Sequence, residues 1–346
     1  MNKIIITTGY MGSGSSAMTD LLSEIDGYCA PNNDFEYVFL HCPNGFFDLE
    51  AKLTMLNNSN RSDEAIRTFL DEMNMLYKLS NKKYWIAGYK SLISDSFLQY
   101  VYDFLRDIGV KTIKGTWYFQ EYPTLTYNIK KIVWKVNKKL KIKKNTYPSN
   151  ENIMLLAFPT RNKFYQATKT FLNKIYIDLG IEDNNLILDQ LILPHNAYKV
   201  ENYFDDNTFV YIIDRDPRDV FVLNKYYWKY NPVPYPTDVK SFCDIYEKIR
   251  KSEIRTEEHN IKRIHFEDLI YDYDNILQTI YVDLNINDKL HNRKFEKFNP
   301  KISINNTQVF LQNNIDRDEI KYIEDILPEY LYPFPYKIEE NNNCIF

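Results

Sequence analysis

The fold is decided near the start of the chain, where residues 4–25 read IIITTGYMGSGSSAMTDLLSEI. The apolar run at residues 4–6 predicts a buried strand. Three of only nine glycines, Gly9, Gly12 and Gly14, follow this run, and the apolar residues after them recur at the spacing of a helix. The chain is therefore predicted to open with a strand, a glycine-rich turn and a helix.

The turn is comparable with the nucleotide P-loop, G-x-x-x-x-G-K-[ST]. Gly9 and Gly14 occupy the glycine positions and Ser16 the hydroxyl position, but Ser15 stands in place of the lysine. Backbone N–H groups of such a turn and the N-terminus of the next helix still bind a phosphate. Because the cation that bridges the terminal phosphates of ATP is missing, we predict binding of another phosphate ester rather than hydrolysis of ATP or GTP.

A second anion site is predicted from an arginine at the end of an apolar strand. The apolar run at residues 208–213 predicts this strand, and Asp214 and Arg215 follow it. A buried guanidinium is costly unless it meets an anion, and ligands of parallel sheets bind at this edge. We expect Arg215 to face a phosphate, with Arg218 or Asp219 beside it. Taken alone, Asp214 also suits the magnesium-binding carboxylate of a kinase or NTPase.

Further strands and helices alternate along the chain. Strands are predicted at residues 84–88, 153–158, 186–188, 208–213 and 263–266. Helices are predicted at residues 61–79, 97–108, 164–176, 219–228, 239–249, 275–284 and 319–326. The alternation predicts an α/β fold, a three-layer P-loop-type parallel sheet flanked by helices. We expect a single domain over residues 1–346, with an inserted basic segment at residues 117–150.

Composition excludes some classes of function. The 43 lysines and arginines and the 47 aspartates and glutamates give a net charge of −4, which argues against a nucleic-acid partner. The four cysteines form no CxxC pair, so we expect neither a disulfide framework nor a metal site. The apolar run at residues 4–6 is too short for a signal peptide or a membrane span, so a cytoplasmic protein is expected.

One segment differs from the rest of the chain. Residues 130–144 include eight lysines, interleaved with apolar residues at helical spacing. This pattern predicts a basic amphipathic helix. Such a helix is either a solvated surface helix or a surface that meets anionic lipid or a charged glycan. A peripheral contact with an anionic membrane, at its inner face, is the partner that residues 129–144 suggest.

Four segments, in this order, resemble the sulfotransferases that use 3′-phosphoadenosine 5′-phosphosulfate (PAPS). Residues 9–16 are similar to their loop G-x-P-[KR]-S-G-T-[TS], and residues 215–220 to their R-x-P-R-D-V strand end. Residues 266–269 are similar to their [YF]-E-D-L, and residues 298–310 to their C-terminal loop over the cofactor. The GSGSS and DRDPRD sequences are most similar to bacterial sulfotransferases of surface-polysaccharide gene clusters.

The resemblance implies a cofactor site. It assigns the 3′-phosphate to Arg215. Gly12 stands where the family has a lysine or arginine on the transferring group. Leu223 stands where many members have a serine for the 3′-phosphate, and the adjacent Asn224 is the predicted substitute. The 5′-phosphosulfate is assigned to the backbone and hydroxyls of the loop, namely Met11, Gly12, Ser13, Gly14, Ser15 and Ser16.

The resemblance also implies a general base in the segment after the first helix. Glu36 matches the position of a glutamate that glycan- and peptide-modifying relatives use. His41 is the second candidate, because an imidazole accepts a proton near neutral pH. We therefore predict Glu36 and His41 as the catalytic residues.

The function that follows is transfer of a sulfuryl group from PAPS to a hydroxyl or amine of a glycan, with 3′-phosphoadenosine 5′-phosphate (PAP) as product. The resemblance implies a bacterial surface polysaccharide or its precursor as acceptor. Two alternatives stay open: a P-loop kinase or NTPase-like nucleotide-binding protein, and a degenerate member that binds cofactor or glycan without catalysis.

Overall fold

The computed structural model describes residues 2–32, 35–115, 125–142, 152–228, 234–256, 258 and 260–338. The chain forms two compact units. The first is Met1–Val38 with Tyr176–Phe346, and the second is Phe39–Ile175. Each unit has its own β-sheet.

The described part of the chain contains strands and helices in alternation. The strands are β1 (Ile4–Gly9), β2 (Tyr28–Cys29), β3 (Lys111–Gly115), β4 (Asn152–Leu156), β5 (Asn185–Asp189), β6 (Thr208–Asp214) and β7 (Ile261–His265). The helices are α1 (Ser15–Ser23), α2 (Phe46–Thr54), α3 (Ser59–Lys78), α4 (Tyr89–Leu92), α5 (Phe97–Asp107), α6 (Leu125–Lys139), α7 (Arg161–Asp178), α8 (Val200–Tyr203), α9 (Pro217–Val222), α10 (Val239–Lys251), α11 (Asp268–Tyr271), α12 (Tyr273–Asp283), α13 (Pro300–Ser303) and α14 (Arg317–Ile326). None of these described helices is both long and apolar enough to cross a lipid bilayer.

The sheet of the first unit has five parallel strands in the order β2-β5-β1-β6-β7. Its central strand is β1, in which Thr7 pairs with Asp189 of β5 and with Tyr211 of β6. The carboxyl ends of β5, β1 and β6 therefore lie side by side at one edge of the sheet. The predicted α/β fold, a parallel sheet flanked by helices, is confirmed.

Helices cover this sheet because the strands are apolar on both faces. Ile5 and Ile213 point into a core that α1 and α12 complete. Ile4 and Ile6 point to the opposite face and are also buried, at 2% and 0% exposure. A strand buried on both faces reads as a continuous apolar run rather than an alternating one, which explains the IIITTG sequence of β1.

The second unit is packed around aromatic rings. The centroids of these rings stand 4.7 to 5.8 Å from neighbouring rings of the group, mostly edge to face, an arrangement that aromatic pairs prefer. They belong to Phe39, Phe46, Phe69, Phe97, Phe104 and Phe171. Much of the high phenylalanine content is therefore structural. The two strands of this unit, β3 and β4, pair antiparallel.

Two strand predictions need correction. The predicted strand at residues 84–88 is wrong, because this segment is a turn that leads into α4. Trp85 in this turn is 62% exposed, and Gly88 has a φ of 100°. The strand predicted at residues 153–158 exists as β4, but it pairs with β3 instead of joining the parallel sheet.

The predicted basic insertion lies in the second unit, where its described part is the helix α6 with residues 140–142. Residues 117–124 and 143–150 of the predicted segment lie outside the described residues. The prediction of a single domain over the whole chain stays a prediction.

Candidate functional site

The glycine loop connects β1 to α1 at the carboxyl edge of the sheet. Gly12 and Gly14 have φ angles of 82° and 86°, which residues with a side chain rarely adopt. Gly14 is the N-cap of α1, and no side chain caps this helix. Ser13 is 1% exposed, and its buried Oγ has no hydrogen-bond partner in the part of the chain that the structure describes, whereas Met11 and Ser16 are exposed. An uncapped helix N-terminus with an unpartnered hydroxyl beside it favours an anionic ligand.

A tryptophan ring lies against position 12 of the loop. A Cβ added to Gly12 would overlap the indole ring of Trp228. A Cβ added to Gly14 would lie 2.9 Å from the ring of Phe266, so the loop is closely packed on this side as well. A lysine at position 12 would therefore collide with Trp228.

Arg215 follows β6, and its guanidinium lies on the glycine loop. Nη1 donates to the carbonyl oxygen of Gly12 at 3.3 Å, and Nη2 donates to the carbonyl oxygen of Asn306. The ring of Phe266 lies 4.6 Å below the guanidinium. Arg215 is 2% exposed, its Nε has no hydrogen-bond partner, and it makes no ion pair among the residues described. Its hydrogen bonds go only to neutral carbonyl oxygens, although Asp219 and Glu267 lie close enough to interact with its charge. A buried guanidinium without a direct ion pair favours an anionic ligand.

Arg218, in the same motif, is already neutralised. Its Nε and Nη2 donate to the two carboxylate oxygens of Asp216 at 2.9 and 2.7 Å, and Nη1 donates to Glu324 at 2.7 Å. Asp216 also caps α9 by accepting from the backbone N of Arg218. Arg218 therefore stabilises the start of α9, and Arg215 is left as the candidate for a ligand.

Three buried carboxyl groups lie around this segment. Asp216, Asp219 and Glu267 are each 0% exposed. Burial and the charge of Asp216 raise the pKa of Asp219 to about 7 and that of Glu267 to about 8. At neutral pH Glu267 is therefore mainly protonated, which reduces the negative charge near Arg215.

The C-terminal segment that was predicted to close over the cofactor is hydrogen-bonded to Arg215 and Asp219. The carboxylate of Asp219 accepts hydrogen bonds from the backbone N of Gln308 at 2.8 Å and of Phe310 at 3.4 Å. The carbonyl of Asn306 accepts from Arg215. Residues 306–310 are thus held beside the guanidinium.

On the other side of β1, strand β5 brings Asp189 and Gln190 to the loop. Nε2 of Gln190 donates to Oγ of Ser15 at 3.2 Å, and Oγ1 of Thr8 donates to Oε1 of Gln190 at 2.9 Å. Oγ1 of Thr7 donates to the carboxylate of Asp189 at 3.1 Å. The end of β5 is therefore hydrogen-bonded both to β1 and to the first residue of α1.

Glu36 lies next to this end of β5. The backbone N of Tyr37 donates to the carbonyl oxygen of Asp189 at 3.0 Å. Burial and the charge of Glu36 raise the pKa of Asp189 to about 7, and burial raises the pKa of Glu36 above its usual range. The negative charge of Glu36 therefore disfavours ionisation of Asp189. The sequence offered only one hint of this pair, the position of Asp189 at the end of a predicted strand.

The two other predicted site residues are His41 and Asn224. His41 belongs to the second compact unit, whereas the loop, Arg215 and Glu36 belong to the first. Asn224 is fully buried, and its amide donates to and accepts from the backbone of Tyr235, both at 3.0 Å. These bonds commit the amide to the protein interior, which contradicts the predicted contact of Asn224 with a phosphate.

The kinase alternative needs Asp214 as a metal ligand. The carboxylate of Asp214 instead accepts hydrogen bonds from two arginines. Nη1 of Arg250 donates to one of its carboxylate oxygens, and Nη1 of Arg263 donates to the other at 3.0 Å. Burial would raise the pKa of Asp214, but the two guanidinium charges outweigh it and hold the pKa below its usual value. Within the described ranges, no group of three or more side chains is arranged to bind a metal ion.

Comparison with known proteins finds structures but no sequence relatives. No protein-family model matches the chain, and no curated protein matches it. The sulfotransferase domain of the olefin synthase of Synechococcus PCC 7002 is 15% identical, with a TM-score of 0.39 over 93% of this chain and 92% of that one. The sulfotransferase domain of the curacin biosynthetic pathway is 11% identical, with a TM-score of 0.37 over 99% and 95%. A sulfotransferase from Mycobacterium tuberculosis is 10% identical, with a TM-score of 0.33 over 85% and 70%. Similarities this low carry no argument about function, which has to come from the site itself.

Proposed function

We propose that the chain is a sulfotransferase that transfers the sulfuryl group of PAPS to a hydroxyl or amine of a glycan. The contact of Arg215 with Gly12 carries this proposal. It brings a buried guanidinium, without an ion pair in the described residues, onto a glycine loop that lacks a lysine. This arrangement suits a nucleotide with two separate phosphate groups. A magnesium-bound triphosphate would need the P-loop lysine and a carboxylate free to bind the metal.

The residues of the loop fit the phosphates of such a donor. We assign the 5′-phosphosulfate to the backbone of residues 11–16, the unpartnered Oγ of Ser13 and the N-terminus of α1. We assign the 3′-phosphate to Arg215. When bound, PAPS supplies a sulfuryl group attached to a phosphate leaving group. Because the guanidinium of Arg215 touches the loop, it also supplies positive charge where a P-loop lysine is absent.

We assign the general base to Glu36, with Asp189 as its partner. The acceptor hydroxyl loses its proton while its oxygen bonds to sulfur, so a proton acceptor is needed beside the loop. Burial and the charge of Glu36 raise the pKa of Asp189 to about 7, so Asp189 keeps its proton near neutral pH while the ionised Glu36 is the form that accepts a proton. His41 stays a second candidate for the base.

We propose a bacterial surface polysaccharide or its precursor as the acceptor, on the likeness of the GSGSS and DRDPRD sequences to enzymes of that type. No observation on the site favours the kinase alternative. Ser15 replaces the lysine, and the carboxylate of Asp214 is occupied by arginines.

Calorimetric titration of the purified protein with adenosine 3′,5′-bisphosphate and with ATP–Mg²⁺ tests the proposal. We expect binding of the bisphosphate and none of ATP. Transfer of radiolabelled sulfate from PAPS to polysaccharide acceptors then tests catalysis. Bisphosphate binding without transfer to any glycan would point to the degenerate alternative. Preference for ATP, or binding of neither nucleotide, would contradict the assignment.

A further inference from the structure

The helix α6 leaves its apolar residues in solvent. A surface helix of a folded protein normally buries its apolar stripe against the core. Here every apolar residue of the stripe is between 49% and 84% exposed. The stripe consists of Leu125, Ile129, Ile132, Val133, Val136 and Leu140.

These residues lie on one face of the helix. Their successive spacings are four, three, one, three and four residues, which keeps them within about 100° around a helix axis. The exposed stripe is therefore continuous over the whole length of α6 and the residue that follows it.

The rest of the helix surface is strongly basic. Residues 125–142 contain six lysines and no aspartate or glutamate, although the chain as a whole has a net charge of −4. Five of these lysines lie on α6 and project outside the apolar stripe, and two of the five, Lys130 and Lys139, border it on opposite sides. The six lysines are Lys130, Lys131, Lys135, Lys138, Lys139 and Lys141.

We propose that α6 lies in the surface of a bilayer that contains anionic phospholipid, with its apolar stripe in the acyl region and its lysines at the head groups. An interfacial helix combines an apolar face, a basic polar face and a low mean hydropathy. The charge argues for this occupant, because a stretch with six lysines and no aspartate or glutamate in its own sequence complements an anionic lipid surface. The proposal is independent of the transfer reaction, since it concerns only where the protein binds.

Co-sedimentation with vesicles tests the proposal on the full chain. We expect binding to vesicles of phosphatidylglycerol and phosphatidylcholine, and none to phosphatidylcholine alone. Raising the salt concentration should weaken the binding. Lys135→Gln and Lys138→Gln should each lower the affinity for anionic vesicles about fivefold. The double variant Ile132→Ser with Val136→Ser should abolish detectable binding while the charge is unchanged.

Matched changes elsewhere serve as controls. Val282→Ser removes an apolar side chain that is 78% exposed on α12, and Lys248→Gln with Lys251→Gln removes two exposed charges from α10. Neither variant should alter vesicle binding. Circular dichroism and thermal unfolding of all variants show whether they fold.

Two results would overturn the proposal. One is equal sedimentation with neutral and anionic vesicles that the α6 variants leave unchanged. The other is absence of vesicle binding together with self-association, measured by sedimentation velocity, that Ile132→Ser with Val136→Ser removes. In the second case the stripe is an interface between copies of the chain.

Discussion

Arg215 and Arg218 stand three residues apart in one motif, yet the structure gives them opposite environments. Arg218 is bound by two carboxylates, whereas Arg215 donates only to backbone carbonyls. The sequence predicted Arg215 as the ligand residue from its place at a strand end. It left the role of Arg218 open, because the position of Glu324 on a distant helix cannot be read from the motif.

This difference gives opposite expectations for the two arginines. Arg215→Gln should lower the affinity for adenosine 3′,5′-bisphosphate roughly 30-fold or more, the equivalent of about 2 kcal/mol for a charged hydrogen bond. Arg218→Gln leaves Asp216 buried without its partner, so it should lower the free energy of unfolding by about 3 kcal/mol. Calorimetry and urea unfolding measure the two quantities. Equal loss of affinity in both variants, at temperatures where both are folded, would contradict the separate roles.

Asp189 is expected to limit transfer at alkaline pH. Burial and the charge of Glu36 raise the pKa of Asp189 to about 7, so Asp189 keeps its proton while Glu36 is ionised. Above this pH the carboxylate of Asp189 forms beside the loop and repels an anionic donor. Asp189→Asn keeps an oxygen that can accept from Thr7 but stays neutral, so the alkaline limb of the profile of kcat/KM against pH should move to higher pH by about one unit. Glu36→Gln should abolish transfer at every pH.

A purely structural role of Asp189 would lower kcat without moving that limb. Asp244→Asn, a change at an exposed carboxylate on α10, serves as the control and should leave the profile unchanged. Binding of adenosine 3′,5′-bisphosphate should be retained in Asp189→Asn. A profile that does not move would remove Asp189 from the proposed mechanism.

At the scale of elements, the glycine loop is fixed by both backbone conformation and packing. Gly12→Ala would place a Cβ at a φ of 82° and against Trp228. Gly27→Ala meets a nearly equal φ of 80° with no atom within 4 Å of the new Cβ. We expect Gly27→Ala to cost about 1 kcal/mol of stability, and Gly12→Ala to cost clearly more. Urea unfolding measures both.

The additional loss of stability in Gly12→Ala, compared with Gly27→Ala, should disappear when Trp228 is also changed to Ala. The ring that the new Cβ meets is then gone. An excess that remains in this double-mutant cycle would show that Trp228 does not cause it.

Elements with a strong local pattern were predicted well. The unit β1–loop–α1 is defined by an apolar run, glycines and helical spacing within residues 4–25, and the structure reproduces it. Strand β2 has only two residues and left no pattern to read. Strand β4 was recognised, but its partner β3 was not, because strand pairing depends on tertiary contacts rather than on local periodicity.

At the scale of the molecule, the candidate site depends on sheet order, and sequence alone did not give that order. The loop, Arg215 and the C-terminal segment were predicted from separate motifs, and each is tied to the next by hydrogen bonds. Asp189 was not predicted as the partner of Glu36, because only the position of β5 beside β1 brings it to the loop. The second unit, with His41 and α6, had no motif that related it to the site.

The assembly of the site from distant parts of the chain leads to a last prediction. Residues 9–16, 214–216 and 304–310 meet at one edge of the sheet, so one ligand should protect all three. We expect adenosine 3′,5′-bisphosphate to slow amide hydrogen exchange in peptides from all three segments, measured by mass spectrometry. At a ligand concentration near the Kd of the unaltered protein, Arg215→Gln should show little protection, since its affinity is expected to be about 30-fold lower. Protection of residues 9–16 alone would mean that the ligand binds the loop without Arg215. Equal protection by ATP–Mg²⁺ would contradict a site built for two separate phosphates.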